Sequence, residues 1–365
     1  MHMTPSTPTR GRPGRRRVFG VLASAALALI PAGCRSLGPS SISHDRLGYA
    51  QVMGDSWKEQ TLLNIVRLRY ADAPVFLDVS SVIASYATEQ QINLGAGFGS
   101  GAVANTQQLG AYGRFTDKPT ISYTPLTGDK FSRSLLRPIP PSAVFSMIQA
   151  GYPADYILRA TTRAINGHYN RGVGAHNKPA DPEFQQLIAA VRSMQDADGV
   201  AMRVERMGDQ DVTLLLFRPR PQTQLSSDFE KVRTLLGLPE DAGEVRLNYG
   251  ANARAPGEVA MLTRSMLEIL IDFSTGIEVP ESHVSEGRAF ATTTGVGVAA
   301  PLARIRVATA RPAQAYAAVP YRGSWYWIDD GDIESKRAFT FMMMFFSLAE
   351  TGTTNAAPVI TVGVN

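Results

Sequence analysis

The chain has 365 residues, a formal net charge of +4 at pH 7 and 44% hydrophobic residues, a composition typical of a folded globular protein. Its positive charge comes from the first 33 residues, which hold five arginines and no acid; without them, 31 basic residues face 32 acidic ones. This balance excludes a strongly basic nucleic-acid-binding surface, and no nucleic-acid partner is expected. The single cysteine, Cys34, excludes a disulfide framework and a cysteine-zinc site.

The start of the chain has the pattern of a secretory signal peptide. A basic segment that ends with Arg16 and Arg17 precedes an apolar run over residues 18–30. A run of roughly 13 residues is too short to span a bilayer core, which needs about 20. Small residues at 32 and 33 are typical of a cleavage site. We therefore predict that residues 1–33 are removed as a signal peptide.

Cys34 stands directly after this predicted cleavage site. Ala32-Gly33-Cys34 resembles the end of the lipobox of bacterial lipoprotein precursors, with Pro31 in place of the usual leucine. The resemblance implies that Cys34 carries a lipid, palmitate included, that anchors the mature protein in a membrane. Arg35 follows where lipoproteins retained in the inner membrane commonly have aspartate. The resemblance therefore implies sorting to the outer membrane, with the body facing the periplasm.

Two further features of this region concern the export route of the protein and the segment that follows Cys34. Arg16, Arg17 and Phe19 also resemble the core of a twin-arginine export signal, so two export routes stay open. Residues 34–43 are rich in Ser, Gly and Pro, which predicts a lipidated tether.

Residues 44–137 are predicted to be rich in β-structure after a helix over 43–70. A strand over 75–86 precedes residues 91–115, in which apolar residues alternate with glycine and polar residues. Because successive side chains of a strand point to opposite faces, this alternation predicts a Gly-rich β-hairpin. Residues 120–124 can add a third strand.

This hairpin has three interpretations. Its glycines can admit the close approach of another layer in an ordinary sheet. Because Gly-rich strands hold their register weakly, it can also be a partner-binding edge, with Gly95, Gly97, Phe98 and Gly99 as candidate contact residues. The third interpretation is that each subunit of an oligomeric outer-membrane pore contributes one such hairpin.

Residues 138–365 are predicted to form a mixed α/β body, which makes the fold class α+β. Ser227 and Glu230 have the spacing of a capping box and predict a helix start. An apolar run over 337–348 follows four acids and predicts a buried helix, with a central strand as the alternative. The other predicted elements are helices over 142–149, 154–165, 183–194 and 256–273, and strands over 200–205, 212–217, 245–249, 289–298, 305–310, 324–328 and 358–364.

The densest acidic cluster comprises Asp329, Asp330, Asp332 and Glu334. Closely spaced carboxylates around a glycine can hold Ca²⁺, but these do not follow the 12-residue calcium loop. Helix capping explains the cluster without a ligand, so it is only a weak metal candidate. We expect no resident metal or cofactor.

Two further groups of residues invite a binding or catalytic interpretation. Trp325 and Trp327 share one face of a predicted strand beside the acids, where they can stack on a glycan or pack in the core. His283 lies among serines and acids, which suggests a hydrolase, but no G-x-S-x-G elbow accompanies it. No catalytic residue is assigned.

These observations favour a non-catalytic protein, although an enzyme stays open. The predicted function is that of a lipid-anchored scaffold or assembly component of an envelope complex. Its predicted partners are the membrane, bound through Cys34, and envelope proteins or further copies of the chain. The alternatives are an anchored enzyme or glycan binder that acts on the cell wall or surface polysaccharide, and the oligomeric pore component.

Overall fold

The computed structural model describes residues 39–97, 106–117, 120–173, 178–207, 210–217, 223–240, 242–292, 300–350 and 359–364. The export-signal residues Arg16, Arg17 and Phe19, the anchor residue Cys34, and Phe98 and Gly99 of the hairpin lie outside these ranges. The chain separates into two units, Met1–Ser56 and Trp57–Asn365. The second unit contains helices and sheets together, which confirms the α+β fold class.

Helix α1 spans Pro39–Arg69 and so begins within the predicted tether. The amide of Asn64 bonds both backbone groups of Val75 at 2.8 Å. The amide of Gln60 does the same with Leu77, at 2.9 and 3.2 Å. These paired bonds hold Val75 and Leu77 against α1 and so fix where the first strand starts.

The first sheet is built around one long strand, β1, which spans Leu77–Gly97. Its first part pairs antiparallel with β3, Thr120–Pro125, and residues 81–86 pair parallel with β13, Val359–Val364. Its second part pairs antiparallel with β2, Thr106–Asp117. The predicted hairpin is therefore present, and it is longer than predicted.

The second sheet has six strands in the order β5-β4-β9-β8-β7-β6. Its neighbours are antiparallel except β8 and β9, which are parallel. The strands are β4 Thr162–Ile165, β5 His168–Tyr169, β6 Val200–Met207, β7 Gln210–Phe217, β8 Glu244–Tyr249 and β9 Glu258–Thr263. The helices before and between them are α2 Gly128–Phe131, a π-helical turn Ser132–Leu136, α3 Pro141–Gln149, α4 Ala154–Thr161, α5 Pro182–Asp196 and α6 Thr223–Leu236.

The third sheet has three strands in the order β10-β12-β11. They are β10 Arg306–Ala308, β11 Ala315–Tyr321 and β12 Ser324–Asp329, and the neighbouring helices are α7 Met266–Ser274, α8 Glu281–Ser285 and α9 Ile333–Glu350.

The core is dominated by α9, whose apolar residues are buried around most of its circumference. Phe339, Phe341, Phe345 and Phe346 are each at most 4% exposed. The ring of Phe346 packs 5.0 Å from that of Phe76, just before β1. The buried helix predicted for this segment is thereby confirmed, and the alternative of a central strand is wrong. Among the described residues, none of the helices combines the length and apolarity that a membrane crossing needs.

Two predicted helices contain strands instead. The helix predicted over 256–273 is wrong, because residues 258–263 form β9 and α7 begins only at Met266. β9 is buried on both faces, so its sequence lacks the alternation that reveals a half-buried strand. The helix predicted over 154–165 ends at Thr161 and continues as β4.

Two other predicted boundaries also differ. Helix α6 begins at Thr223, so Ser227 lies inside the helix and does not start it. The capping box is instead formed by Ser265 and Glu268 at α7, where each side chain bonds the other's backbone N–H. Of the strand predicted over 289–298, the described residues 289–292 are not strand, and residues 293–298 lie outside the described ranges.

Candidate functional site

The first candidate is a two-stranded ribbon formed by residues 86–97 of β1 and 106–117 of β2. Twelve consecutive pairs run from Tyr86↔Asp117 to Gly97↔Thr106 without a register shift. At about 3.4 Å per residue, the ribbon is about 40 Å long. Among the strands described, none pairs with the outer edge of β2, or with β1 beyond Tyr86 on the β13 side. Within the described parts of the chain, both outer edges of the ribbon are therefore unpaired.

The register divides the residues of the ribbon into two faces of different composition. One face combines most of the apolar residues with a polar minority; its members are Ile92, Leu94, Ala96, Leu109, Ala111 and Phe115, together with Tyr86, Thr88, Gln90, Gln107, Gly113 and Asp117. The other face combines polar residues and glycine, and its described members Gln91, Asn93, Gly110 and Tyr112 are exposed. Gly95 and Gly97, two of the predicted contact residues, belong to this polar face, near the far end of the ribbon. The alternation read from the sequence is thus an amphipathic ribbon in the structure.

The second candidate is a cleft of about 1050 Å³ between the turn that follows α3 and the helices α4, α5 and α9. Gly151, with a φ of 96° that favours glycine, and Pro153 turn the chain from α3 into α4 at its edge. Tyr152, Tyr156 and Phe341 line it with aromatic rings. The centre of the Phe341 ring lies 5.4 Å from that of Tyr152 and 5.6 Å from that of Tyr156. A cleft of this size and aromatic character suits an organic ligand.

A second hollow of about 800 Å³ shares Tyr156, Arg159 and Glu334 with this cleft. Burial raises the pKa of Tyr156, and its hydroxyl has no hydrogen-bond partner among the described residues. Burial also lowers the pKa of Arg159, an effect that the nearby Tyr156 partly offsets. The shared wall therefore combines two partly buried side chains, Tyr156 and Arg159, with the exposed Glu334.

The charges around the cleft are largely neutralised in pairs. Arg192 lies 3.0 Å from Asp196, and Arg337 lies 3.6 Å from Glu334. In the hollow, Ser335 donates to Asp332 and accepts from the Arg304 N–H, both at 2.8 Å. Neither histidine nor cysteine is among the residues that line the two spaces. The arrangement can hold a ligand, and the Ser335 hydroxyl in it is bonded to the Asp332 carboxylate that caps α9.

The acidic cluster is arranged as the start of a helix. Asp332 accepts from the backbone N–H and the hydroxyl of Ser335 and so caps α9. The other partners are Arg306 and the Gly331 N–H for Asp329, Lys336 for Asp330 and Arg337 for Glu334. No three metal-ligating side chains converge among the described residues. These carboxylates therefore act as caps and ion-pair partners.

The tryptophan pair lies on the opposite side of β12 from the core. Tyr326 is fully buried, whereas Trp325 and Trp327 are half-buried. The alternative that this pair packs in the core is wrong, because Tyr326 takes that side. Arg311 and Arg306 each lie 5.5 Å from the centre of a tryptophan ring. These cations cover ring surface on which a sugar would stack, which weakens the glycan-platform interpretation.

His283 belongs to a buried network that the sequence does not reveal. Its Nδ1 lies 2.6 Å from the Tyr70 hydroxyl, which in turn lies 2.5 Å from the Tyr326 hydroxyl. Nearby, Asp72 accepts hydrogen bonds from Tyr321 and Arg322. The network joins the residues after α1 to α8 and to the third sheet, and His283 is only 7% exposed. The network fastens these elements together, and His283, Tyr70 and Tyr326 form its buried part.

Comparisons of the chain with protein-family models, with curated proteins and with solved structures found no match.

Proposed function

We propose that the protein is a lipid-anchored component of the bacterial outer membrane that faces the periplasm and acts as a non-catalytic assembly component of an envelope complex. The ribbon is its assembly surface. The anchor is the lipid on Cys34, and the proposal for its location derives from the lipobox resemblance at residues 31–34.

The observation that carries the proposal is the amphipathic ribbon with two unpaired edges. A two-stranded ribbon offers the backbone groups of its outer edges to a further strand, and an isolated hairpin is marginally stable in water. Unpaired strand edges of this kind are templates for pairing with another chain.

The test compares two ribbon variants that receive the same residue on opposite faces. Leu94→Glu places a charge on the apolar face, and Asn93→Glu places it one residue away on the polar face. Both are expressed from the full chain with an affinity tag, extracted in mild detergent and analysed by mass spectrometry. We expect Leu94→Glu to lose the co-purifying envelope proteins and Asn93→Glu to retain them, with equal thermal unfolding.

A third variant, Cys34→Ala, tests the anchor separately. We expect the wild type to fractionate with outer membranes and Cys34→Ala to be released. Equal loss of partners in both glutamate variants would argue against the ribbon as the assembly surface. Unchanged fractionation of Cys34→Ala would argue against the lipid anchor.

The cleft supports a second candidate function, binding of a small or polymeric ligand of the cell envelope. Three aromatic rings line a space large enough for a disaccharide or a short peptide. We expect Tyr152→Ala to abolish any calorimetric binding of peptidoglycan fragments by the intact protein, with Tyr169→Ala, which alters an exposed tyrosine on β5, as the control. Binding that survives Tyr152→Ala would place the ligand elsewhere.

A further inference from the structure

The edges of the ribbon lack the features by which proteins usually keep strand edges apart. Such features are proline, lysine, bulges and inward charges. Residues 86–97 and 106–117 contain neither proline nor lysine, and their twelve pairs contain no bulge. The lower part of β1, in contrast, has a register shift between Val79 and Ser81 opposite β3.

The charges of the ribbon are matched within it. Glu89 and Arg114 are directly opposite each other in the register, and apart from Asp117 at its base they are the only charged residues over these two segments. The remaining polar residues are mostly Gln, Asn and Thr, which suit stacked hydrogen-bonded strands. Two edges of similar length with little net charge can therefore approach each other without repulsion.

We propose that copies of this chain join through their ribbons, the free edge of β1 in one copy pairing antiparallel with the free edge of β2 in the next. This inference rests on the proposed function and names its partner, a second copy. Because β1 and β2 run in opposite directions, β1 of the next copy continues the antiparallel alternation. The apolar faces of successive ribbons then form one continuous surface.

The two outer edges distinguish between the possible symmetries. A pairing of β1 with β1 about a two-fold axis perpendicular to the sheet would point the two ribbons in opposite directions and would leave the outer edge of β2 unpaired in each copy. Pairing β1 with β2 keeps all ribbons in one orientation and is a heterologous contact, which closes into a ring when its rotation allows. The proposed assembly is therefore a ring of equally oriented copies.

The experiment uses intermolecular disulfides between two differently tagged full-length chains expressed together. One chain carries Gln91→Cys on β1. The other carries a cysteine at one of four positions on the same face of β2: Gln108, Gly110, Tyr112 or Arg114. The single native cysteine is occupied by lipid in the anchored protein, and Asp129→Cys, an exposed position outside the ribbon, reports random collisions.

We expect oxidation to link Gln91→Cys of one copy to a β2 cysteine of the other, most strongly at one position, and to give no link between two Gln91→Cys chains. A chain with Gln91→Cys and a β2 cysteine at a position other than 112, which lies directly opposite Gln91 in the same chain, should give a ladder of linked copies that ends at a defined size. Links only between identical positions, or only at the collision level, would overturn the inference. If other envelope proteins still co-purify through the ribbon in that case, the proposed function stands and the self-pairing does not.

Discussion

Asp272 is a buried carboxylate that pairs with two buried arginines of the body. It is fully buried on α7 and pairs with Arg264, also fully buried, at 2.7 Å, and with Arg171. Arg264 also donates to the carbonyl oxygens of residues 159, 160 and 171. Burial lowers the pKa of Arg264, and the nearby carboxylate raises it. The two guanidinium groups are therefore tolerated in the core because of one carboxylate.

Replacement of Asp272 by alanine is expected to lower the free energy of unfolding by about 3–5 kcal/mol, since it leaves buried charges without a partner. The matched control is Asp129→Ala, whose ion pair with Arg133 is exposed and should matter by less than about 1 kcal/mol. Urea unfolding measures both. Similar losses in the two variants would show that the buried network contributes no more than a surface pair.

Gly276 is a position where the backbone of another segment leaves no room for a side chain. A Cβ there would overlap the carbonyl oxygen of Ala303 and lie 2.7 Å from Pro301 Cβ. We expect Gly276→Ala to destabilise the protein by roughly 1–3 kcal/mol, as overpacking does. At Gly243 a Cβ meets nothing within 4 Å, so Gly243→Ala should unfold at nearly the wild-type urea concentration. An unchanged midpoint for Gly276→Ala would contradict the close approach.

The Asp72 carboxylate should make stability depend on pH. Two hydrogen bonds lower the pKa of Asp72: the bond from Tyr321 has the larger effect, and the bond from Arg322 follows it. Its stabilising effect is present above the unfolded-state pKa of about 3.9 and is lost as the pH falls through the lower folded-state value. Between about pH 5 and pH 2, the wild type should therefore lose more stability than Asp72→Asn. Parallel urea midpoints for the two proteins over this range would contradict the assignment.

Residue roles were predictable from the sequence only where the partners are close in the chain. The capping of α9 by Asp332 involves neighbours, and local composition predicted helix capping for that acidic cluster. Tyr70 and His283 are 213 positions apart, and no local sequence pattern at either residue indicates that the two are partners. A buried network of this kind becomes visible only when the fold brings its elements together.

Among the elements, periodicity predicted those with one clear buried face or a strong alternation. The hairpin of β1 and β2 and the apolar helix α9 are examples. It failed for β9, whose residues are buried on both faces and fit a helical spacing by chance. It also failed at Thr162, where α4 passes into β4 without a glycine or proline to mark the change.

The two serines of the predicted and the observed capping boxes allow a direct comparison. Ser265→Ala removes the hydrogen bond to the Glu268 N–H at the start of α7 and should cost about 1 kcal/mol. Ser227→Ala changes an exposed position inside α6 and should alter stability by less than about 0.5 kcal/mol. Thermal unfolding of both measures the difference. A larger loss for Ser227→Ala would indicate that α6 begins at Ser227, as the sequence predicted.

At the scale of the whole molecule, sequence-distant segments complete both larger sheets. β4 pairs with β9, and β1 pairs with β13. The core likewise includes Leu62 and Phe346 in one cluster. Such pairings could not be predicted from local patterns, because a strand's sequence does not specify which distant strand lies beside it.

Removal of β13 tests how far the base of the ribbon depends on this distant strand. A chain that stops after residue 358 lacks the parallel partner of residues 81–86. We expect faster amide exchange at 81–86 and along the ribbon, with unchanged exchange in β7 and β8, because those strands belong to another sheet. A chain that lacks only Asn365 is the control. Equal protection at 81–86 in both chains would show that β13 does not support the ribbon.

The position of β13 also sets an order of events during synthesis. The segments that form β1 and β2 are translated before the strand that pairs with residues 81–86. A nascent chain that still lacks β13 therefore presents the hairpin on an incomplete base. Docking that requires a firm base would admit chains that contain β13 and pass over those without it, which would give the proposed complex a check on the integrity of its subunits.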